Sequence, residues 1–279
     1  MKYFLDTEFL EGPQQEKFPL SLFRKLTPPT IDLISIGIVA EDGREYYAIS
    51  KDFNLKEAWN RFQFAEQTPF EKQNGFSGRK VYWIRENVLK PIWRDLFFKA
   101  DLENDIYSNT QADRFFEDVN LGGYDHYFSF KSLKALISKY GKTNKEISAE
   151  ILKFCNDEVF VTKIDGKLVA GIDPVRGNPE FYAYYADYDW VAFCWLFGKM
   201  MDLPEGFPMY CRDLKQILDD KVNFYMHLPM NFFSGKPTSF DDALERFKNH
   251  SNYPKQENEH NALADARWNK KLFQFLNSI

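Results

Sequence analysis

Two carboxylates stand close together near the start of the chain, at Asp6 and Glu8. They lie in the apolar stretch 3–9, which predicts a short buried strand. Side chains two positions apart on a strand point to the same face, so both carboxylates can converge on one point. Burying two acids together is unfavourable unless cations or hydrogen bonds compensate. A pair with this spacing also occurs by chance at exposed strand ends, so it indicates a functional site only together with other residues.

A third candidate acid lies where a predicted strand runs into a predicted helix. Residues 179–185 are rich in aromatic side chains and predict the strand, and the helix is predicted over 190–201. Asp187 and Asp189 both stand at this junction. Either acid can also serve only as a helix N-cap, because a carboxylate near a helix N-terminus interacts favourably with the helix dipole.

A histidine and a fourth acid, His260 and Asp265, follow later in the chain. Residues 253–259 are polar and without periodicity, which indicates a loop, and the last helix is predicted to begin near Asn261. On one helix the two side chains would lie about 140° apart and would not share a face. We therefore place His260 in the loop and Asp265 one turn inside the helix. A loop histidine can act as a general base near neutral pH, and it can equally be a solvated residue.

The composition excludes several classes of protein. A hydrophobic share of 44% and an aromatic share of 18% are enough to bury a core, which excludes a disordered chain. The formal net charge of −5 lacks the basic surplus of proteins that coat nucleic acid, although an enzyme that grips a few nucleotides needs only a local basic rim.

The sequence also bears on the compartment. Only three apolar residues precede the first carboxylate and no run of 18 apolar residues occurs, so we expect neither a signal peptide nor a membrane span. The three cysteines include no CxxC pair, which indicates reduced thiols. We therefore expect a cytoplasmic protein that does not contact a membrane.

The remaining patterns predict both strands and helices around the candidate residues. Residues 31–40 are rich in β-branched side chains and predict a strand, which a turn at 41–43 connects to a return strand at 44–50. A second hairpin is predicted over 158–172. Helical periodicity predicts further helices at 81–98, 129–139, 144–155, 213–220 and 240–249. The proline-containing segment 11–30 predicts a long loop.

The candidate residues follow one another in the order of three known motifs. The stretches FLDTEF, IDLISIGIVAEDGREYYAIS, YADYDWVAFCWLFG and HNALADAR contain an acid pair on a strand, an acid at a strand–helix junction and a late histidine with an acid. In these stretches the chain resembles the DEDDh branch of the ribonuclease-H-like 3′-5′ exonucleases. More narrowly, it resembles the ribonuclease-T-like exoribonuclease family of bacteria and phages. The segments 11–30 and 101–172 carry no motif of that family.

This resemblance implies a fold. It implies the α/β class, with a ribonuclease-H-like mixed sheet and helices on both faces. It also implies a single exonuclease domain over residues 1–279, with an insertion or lobe at about 101–172. A homodimer is a further expectation, because dimers are common among such relatives.

The resemblance also implies roles for the candidate residues. Four carboxylates would hold two divalent cations, Mg²⁺ or Mn²⁺. The four are Asp6, Glu8, Asp189 and Asp265. His260 would act as the general base. Asp189 matches the second motif better than Asp187, because an aromatic residue comes directly before it. Many relatives have His-Asn upstream of that acid, whereas this chain has Tyr184-Tyr185, which leaves open how the sugar of a substrate is contacted.

The expected substrate is the 3′ end of a nucleic acid, with RNA preferred over DNA. Residues next to the first acids, Thr7, Phe9 and Leu10, are expected to contact the terminal nucleotide. The basic residues Lys17, Arg24 and Lys25 are expected to meet phosphates.

Three alternatives stay open from the sequence. The motifs do not separate RNA from DNA, so a 3′-5′ DNA exonuclease is one alternative. An inactive nucleic-acid-binding relative is the second, and the presence of all five active residues argues against it. The third is a glycosidase, which needs only two acids and no metal and would leave His260 and two acids without a role.

Overall fold

The computed structural model describes residues 1–14, 26–75, 77–103, 127–156, 159–164, 167–172, 178–227 and 237–279. Four predictions concern residues outside these ranges and stay predictions. They are the phosphate contacts of Lys17, Arg24 and Lys25, the part of the predicted loop at 15–25, the turn at residues 165–166, and the part of the predicted lobe at 104–126.

The described residues form strands of different lengths, which we number in chain order. The strands are β1 (Lys2–Gly12), β2 (Thr30–Ala40), β3 (Glu45–Ile49), β4 (Gln63–Phe64), β5 (Lys80–Val81), β6 (Val159–Ile164), β7 (Lys167–Ile172), β8 (Glu180–Ala183) and β9 (Arg212–Asp213). The predicted hairpin at 158–172 is confirmed, because β6 and β7 pair antiparallel.

The helices of the described residues lie between these strands or after the last of them. They are α1 (Leu55–Asn60), α2 (Pro69–Gln73), α3 (Lys90–Glu103), α4 (Phe130–Tyr140), α5 (Asn144–Asn156), α6 (Ala186–Phe197), α7 (Leu214–His227), α8 (Phe240–Lys248) and α9 (Ala262–Ser278). One π-helical turn, Arg85–Leu89, leads into α3, and a short 3₁₀ turn, Met200–Asp202, follows α6. Within the described part of the chain, no helix combines the length and the apolar character that a membrane span requires.

Five strands form one mixed sheet in the order β3-β2-β1-β8-β9. Strands β1, β8 and β9 run parallel, with Tyr3 opposite Phe181 and Ala183 opposite Asp213. Strands β2 and β3 are joined by the short turn around Gly43, whose φ of 97° suits glycine, and so close a connection makes neighbouring strands antiparallel. The predicted α/β class with a mixed sheet is therefore confirmed.

The chain divides into two compact units. The first unit contains Met1–Glu8, Ser35–Ala48 and Asn144–Ile279, and the second contains Phe9–Ile34 and Ile49–Thr143. All four predicted metal ligands and His260 belong to the first unit. The predicted lobe at about 101–172 contributes residues to both units, and its role stays a prediction.

Helices cover both faces of the sheet within the first unit. Phe181 and Tyr182 are consecutive on β8 and therefore point to opposite faces. The ring of Phe181 lies 5.0 Å from that of Phe193 on α6, whereas the ring of Tyr182 lies 4.7 Å from that of Phe273 on α9. Phe4 on β1 also packs against Phe273, at 5.2 Å. The expected helices on both faces are confirmed.

Three helices differ from their predicted bounds. The helix predicted over 81–98 starts only after Val81, which belongs to β5, and it contains the π-helical turn Arg85–Leu89 and continues as α3 to Glu103. The helix predicted from residue 190 begins at Ala186, because the carboxylate of Asp213 accepts hydrogen bonds from the N–H groups of Tyr185 and Ala186, both at 3.3 Å. The helix predicted to end at residue 220 continues to His227, because Val222 extends its buried stripe. Asp187 and Asp189 consequently both lie inside the first turn of α6.

Candidate active site

Three predicted acids meet at one point in the first unit. Asp6 and Glu8 project from β1, and Asp265 lies in the first turn of α9. Each of the three offers a carboxylate oxygen, and these oxygens lie within 4.8 Å of one another. The two-residue spacing on the strand brings Asp6 and Glu8 to the same face, and the packing of α9 adds the third acid. The arrangement can hold a metal ion.

Asp189 is hydrogen-bonded to β1 through Thr7, which lies between the two strand acids Asp6 and Glu8. The backbone N–H of Thr7 donates to Oδ1 of Asp189 at 2.9 Å, and the Thr7 hydroxyl donates to the same oxygen at 2.6 Å. Asp189 is buried, whereas Asp187 on the same helical turn is exposed. Only Asp189 is therefore directed toward the strand that carries Asp6.

Both oxygens of Asp265 accept hydrogen bonds from the preceding loop. The side-chain amide of Gln256 donates to Oδ1 at 2.6 Å, and the backbone N–H of His260 donates to Oδ2 at 2.9 Å. Asn261 caps α9, because its side-chain oxygen accepts from the N–H groups of Leu263 and Ala264. The loop thus orients the carboxylate that the helix presents.

His260 lies in the loop directly before the cap of α9, as the sequence predicts. Its φ of 68° is in the left-handed region, which is unfavourable for a non-glycine residue. The hydrogen bond from its N–H to Asp265 helps to hold that conformation. Its side chain is half-buried. Burial raises the pKa of the neighbouring Asp265, although the hydrogen bonds from Gln256 and from the His260 N–H act in the opposite direction.

Burial and mutual repulsion disfavour the ionised form of these acids. Burial and the neighbouring Asp189, Glu8 and Asp265 raise the pKa of Asp6 well above its usual range. Burial, Asp265 and Asp189 raise the pKa of Glu8 to about 8. Burial also raises the pKa of Asp189 to about 7, although the two hydrogen bonds from Thr7 act in the opposite direction. Where the structure describes the chain, none of the four acids forms an ion pair with Lys or Arg.

Helix α9 is held against the sheet beside this cluster. The side-chain amide of the buried Asn269 donates to the carbonyl of Leu5 at 2.9 Å, next to Asp6 on β1. Gly37 on β2 lies so close to the start of α9 that a Cβ there would stand 2.3 Å from the carbonyl oxygen of Ala262. These contacts set the position at which α9 presents Asp265.

The three residues of β1 that are expected to contact the substrate differ in how exposed their side chains are. Thr7 is 5% exposed and uses its hydroxyl on Asp189, and Leu10 is fully buried. Both side chains are therefore buried in this structure, and the contact of these residues with a nucleotide stays a prediction. Phe9 is half-buried and lines a groove in the second unit.

Sequence reasoning missed three residues that shape the site. Gln256 binds Asp265, Asn269 binds the backbone of β1, and Asp213 accepts hydrogen bonds from the first N–H groups of α6. Asp213 also raises the pKa of Asp189. Gln256 stands in a polar loop without periodicity and carries no sequence signal. An acid at a strand–helix junction, such as Asp213, resembles the pattern that singled out Asp189.

The chain is similar to two proteins of Mycobacterium tuberculosis. They come from the strains CDC 1551 and H37Rv, and each is named a 3′-5′ exoribonuclease. Each is 25% identical to this chain over 221 residues, which cover 79% of the chain and 76% of the relative. No protein-family model matches the chain.

Proposed function

We propose that this protein is a metal-dependent 3′-5′ exonuclease that removes nucleotides from the 3′ end of RNA. The observation that carries the proposal is the convergence of Asp6, Glu8 and Asp265 on one point, with Asp189 bound to the same strand through Thr7. The two relatives named 3′-5′ exoribonucleases support both the direction of cleavage and the preference for RNA.

The donor set fits hard divalent cations. Every ligand atom in the cluster is a carboxylate oxygen, which Mg²⁺ and Mn²⁺ prefer over nitrogen or sulfur. Burial and the neighbouring acids raise the pKa of Asp6 and of Glu8, so positive charge placed among them would stabilise their ionised forms. Two such cations, when bound, supply Lewis-acid activation of the phosphate and a water molecule of lowered pKa. Binding them would restore the ionised form of the acids.

The acids and the histidine would have separate roles, which are cation binding and proton transfer. Asp6, Glu8 and Asp265 would hold the cations, and Asp189 would support them with its Oδ2, because its Oδ1 accepts two hydrogen bonds from Thr7. His260 takes the proton from the attacking water at its imidazole. The hydrogen bond from the His260 N–H to Asp265 holds the loop that carries this imidazole.

Two 5′-labelled oligonucleotides, one of RNA and one of DNA, test the proposal. The wild-type protein should shorten the RNA one nucleotide at a time in Mg²⁺ or Mn²⁺ and leave it intact in EDTA. Asp6→Asn should lower the rate by about 10³-fold, because metal-assisted charge stabilisation is worth several kcal/mol. Activity that persists in EDTA or in Asp6→Asn would contradict the proposal, and faster shortening of the DNA would correct the substrate.

A matched pair of variants separates the two acids of α6. Asp189→Asn should lose activity as Asp6→Asn does, whereas Asp187→Asn should keep the wild-type rate because its side chain is exposed. Equal losses in both variants would mean that the first turn of α6 is needed as a whole and that Asp189 is not a specific ligand.

The role of the histidine has a separate test. His260→Ala should lower the rate by about 10²–10⁴-fold, the usual contribution of general acid–base catalysis. Its affinity for Mn²⁺, measured by isothermal titration calorimetry, should match that of the wild-type protein. A parallel loss of Mn²⁺ affinity would show that His260 supports the metal site instead of taking the proton.

A further inference from the structure

The helix that carries Asp189 begins without a cap of its own. Within the described part of the chain, Tyr185, the residue before α6, makes no capping hydrogen bond with its side chain. The first N–H groups of a helix have no partner inside the helix and need one elsewhere. Tyr185 also has a φ of 56°, in the left-handed region that is unfavourable for a bulky residue. The turn from β8 into α6 therefore depends on a contact from outside the helix.

Asp213 supplies this contact from the neighbouring strand. Strand β9 pairs in parallel with β8 and places Asp213 opposite Ala183, beside the turn that follows β8. The Oδ1 of Asp213 accepts from the N–H of Tyr185 and its Oδ2 from the N–H of Ala186, both at 3.3 Å. A charged acceptor makes such bonds stronger than a neutral one does. The carboxylate thus holds both the left-handed residue and the first residue of α6.

The same carboxylate also caps the next helix. Asp213 directly precedes α7, and its Oδ1 accepts from the N–H groups of Lys215 at 2.7 Å and Gln216 at 3.4 Å. These are the second and third residues of α7, which an N-cap side chain ordinarily binds. One side chain therefore joins the starts of two helices to the sheet. Because both of its oxygens accept from the backbone, a supporting role suits Asp213 better than cation binding.

The start of α6 in turn sets the position of Asp189. Asp189 is the fourth residue of α6 and lies within about one turn of Ala186. Its Oδ1 accepts from the N–H and the hydroxyl of Thr7, at 2.9 and 2.6 Å. Because successive turns of a helix are joined by backbone hydrogen bonds, a displacement of Ala186 also displaces Asp189 relative to Thr7.

We propose that Asp213 is a positioning residue for Asp189. Its carboxylate holds the turn between β8 and α6, keeps the Asp189 carboxylate at Thr7, and binds no cation itself. Supporting groups of this kind contribute about 10- to 100-fold in metal affinity. The inference rests on the proposed function, because that function makes Asp189 a cation ligand.

Two substitutions of Asp213 separate the two helices. In Asp213→Asn, Oδ1 stays as the acceptor for α7, whereas an NH₂ group replaces Oδ2 and faces the N–H of Ala186. Asp213→Ser keeps a hydroxyl that can cap α7 but lacks the second oxygen. Ser239→Ala is the control, because the Ser239 Oγ caps α8 by accepting from the N–H of Asp242 at 3.2 Å. It removes a helix cap in the same unit without touching α6.

The position of Asp189 is measurable without a metal. In EDTA, hydrogen exchange of the Thr7 N–H, followed by NMR, reports its bond to Asp189. Both Asp213 variants should speed this exchange about 10-fold relative to the N–H of Asp265, which donates to a backbone carbonyl at 2.9 Å. Ser239→Ala should leave the ratio of the two rates unchanged. An unchanged ratio in both Asp213 variants would overturn the inference.

The affinity for Mn²⁺, measured by isothermal titration calorimetry, connects this position to the proposed function. Both Asp213 variants should bind Mn²⁺ about 10- to 100-fold more weakly than the wild-type protein and Ser239→Ala, and excess Mn²⁺ should restore RNA cleavage. If they lose Mn²⁺ while the Thr7 exchange is unchanged, Asp213 is itself a ligand and the inference is wrong. If the wild-type protein binds no Mn²⁺ but the Asp213 variants still speed the exchange, the proposed function is wrong and Asp213 still positions Asp189.

Discussion

The choice between Asp187 and Asp189 depends on one neighbouring residue. Both acids lie in the first turn of α6, so each has the favourable position near the helix N-terminus. Thr7 makes the difference, because its N–H and hydroxyl both donate to Asp189. Two donors on one oxygen orient the carboxylate and leave the other oxygen for a ligand. Thr7, expected from the sequence to touch substrate, acts in this structure on a neighbouring acid.

Replacing Thr7 by valine should reduce the affinity for Mg²⁺. Thr7→Val keeps the shape and the backbone N–H but removes the hydroxyl donor, so Asp189 is less well oriented. Loss of such a supporting hydrogen bond typically costs 10- to 100-fold in metal affinity or activity. The measurement is the rate of RNA shortening as a function of Mg²⁺ concentration.

Thr7→Ser is the matched control for this variant, because it retains the hydroxyl. It should keep the wild-type response to Mg²⁺. If Thr7→Val and Thr7→Ser respond identically across the whole concentration range, the hydroxyl does not orient Asp189.

At the scale of the elements, the site depends on the contact between β2 and α9. Gly37 leaves no room for a Cβ, because the backbone of Ala262 and Leu263 lies within 2.4 Å of the position that a Cβ would occupy. The start of α9 can therefore approach the sheet closely, and three residues further on Asp265 reaches the strand acids. In the sequence, Gly37 is an inconspicuous residue inside a β-branched strand, and nothing marks it as a contact point.

Gly37→Ala should destabilise the protein and impair the candidate active site together. The added methyl group meets backbone, which cannot move aside as a flexible side chain can, so α9 must shift. We expect a loss of about 1–3 kcal/mol in the free energy of unfolding, measured by urea denaturation, and a lower rate of RNA hydrolysis.

Gly43→Asn is the control for this variant. Gly43 lies in open space with a φ of 97°, and asparagine tolerates the left-handed region better than other residues. A Gly37→Ala protein as stable as Gly43→Asn would mean that β2 and α9 do not approach this closely.

The sequence predicted the bounds of some helices and strands closely and those of others poorly. Strand β2 and helix α5 lie within one residue of their predicted bounds, because β-branched enrichment and helical periodicity are local signals. The start of α6 was not predictable, because the acid that accepts from its first N–H groups, Asp213, is 27 residues from Ala186. Contacts between residues so far apart in the chain leave no local signature.

At the scale of the whole molecule, the acid cluster makes stability depend on pH. Without divalent cations the pKa of Glu8 is raised to about 8 and that of Asp189 to about 7, whereas in the unfolded chain both have ordinary values near 4. Between about pH 4 and pH 8 the unfolded chain therefore loses protons that the folded protein retains. The unfolded state binds fewer protons in this window, so the free energy of unfolding falls as the pH rises.

This linkage predicts that Mg²⁺ stabilises the protein more at pH 8 than at pH 5. Mg²⁺ binds the ionised acids and removes the repulsion that destabilises them at high pH. The measurement is Tm in EDTA and in Mg²⁺ at both pH values, compared with Glu8→Gln. The variant lacks one of the carboxyl groups whose pKa is raised, so its Tm in EDTA should depend less on pH. Equal stabilisation by Mg²⁺ at both pH values in the wild-type protein would contradict the linkage.

The sequence by itself determined which residue types were available and where along the chain they stood. The alternation on β1 placed Asp6 and Glu8 on one face, and the polar segment before α9 placed His260 in a loop. These are local properties, since side-chain direction on a strand and the start of a helix depend on neighbouring residues.

Only the tertiary structure decided which of these residues meet. The hydrogen bonds from Thr7 selected Asp189 over Asp187, and the close approach at Gly37 brought Asp265 to the strand acids. The same packing buried Leu10, which the sequence had suggested as a substrate contact. Burial and pairing depend on residues that are distant in the chain and close in space, and a single sequence does not encode that proximity in any local pattern.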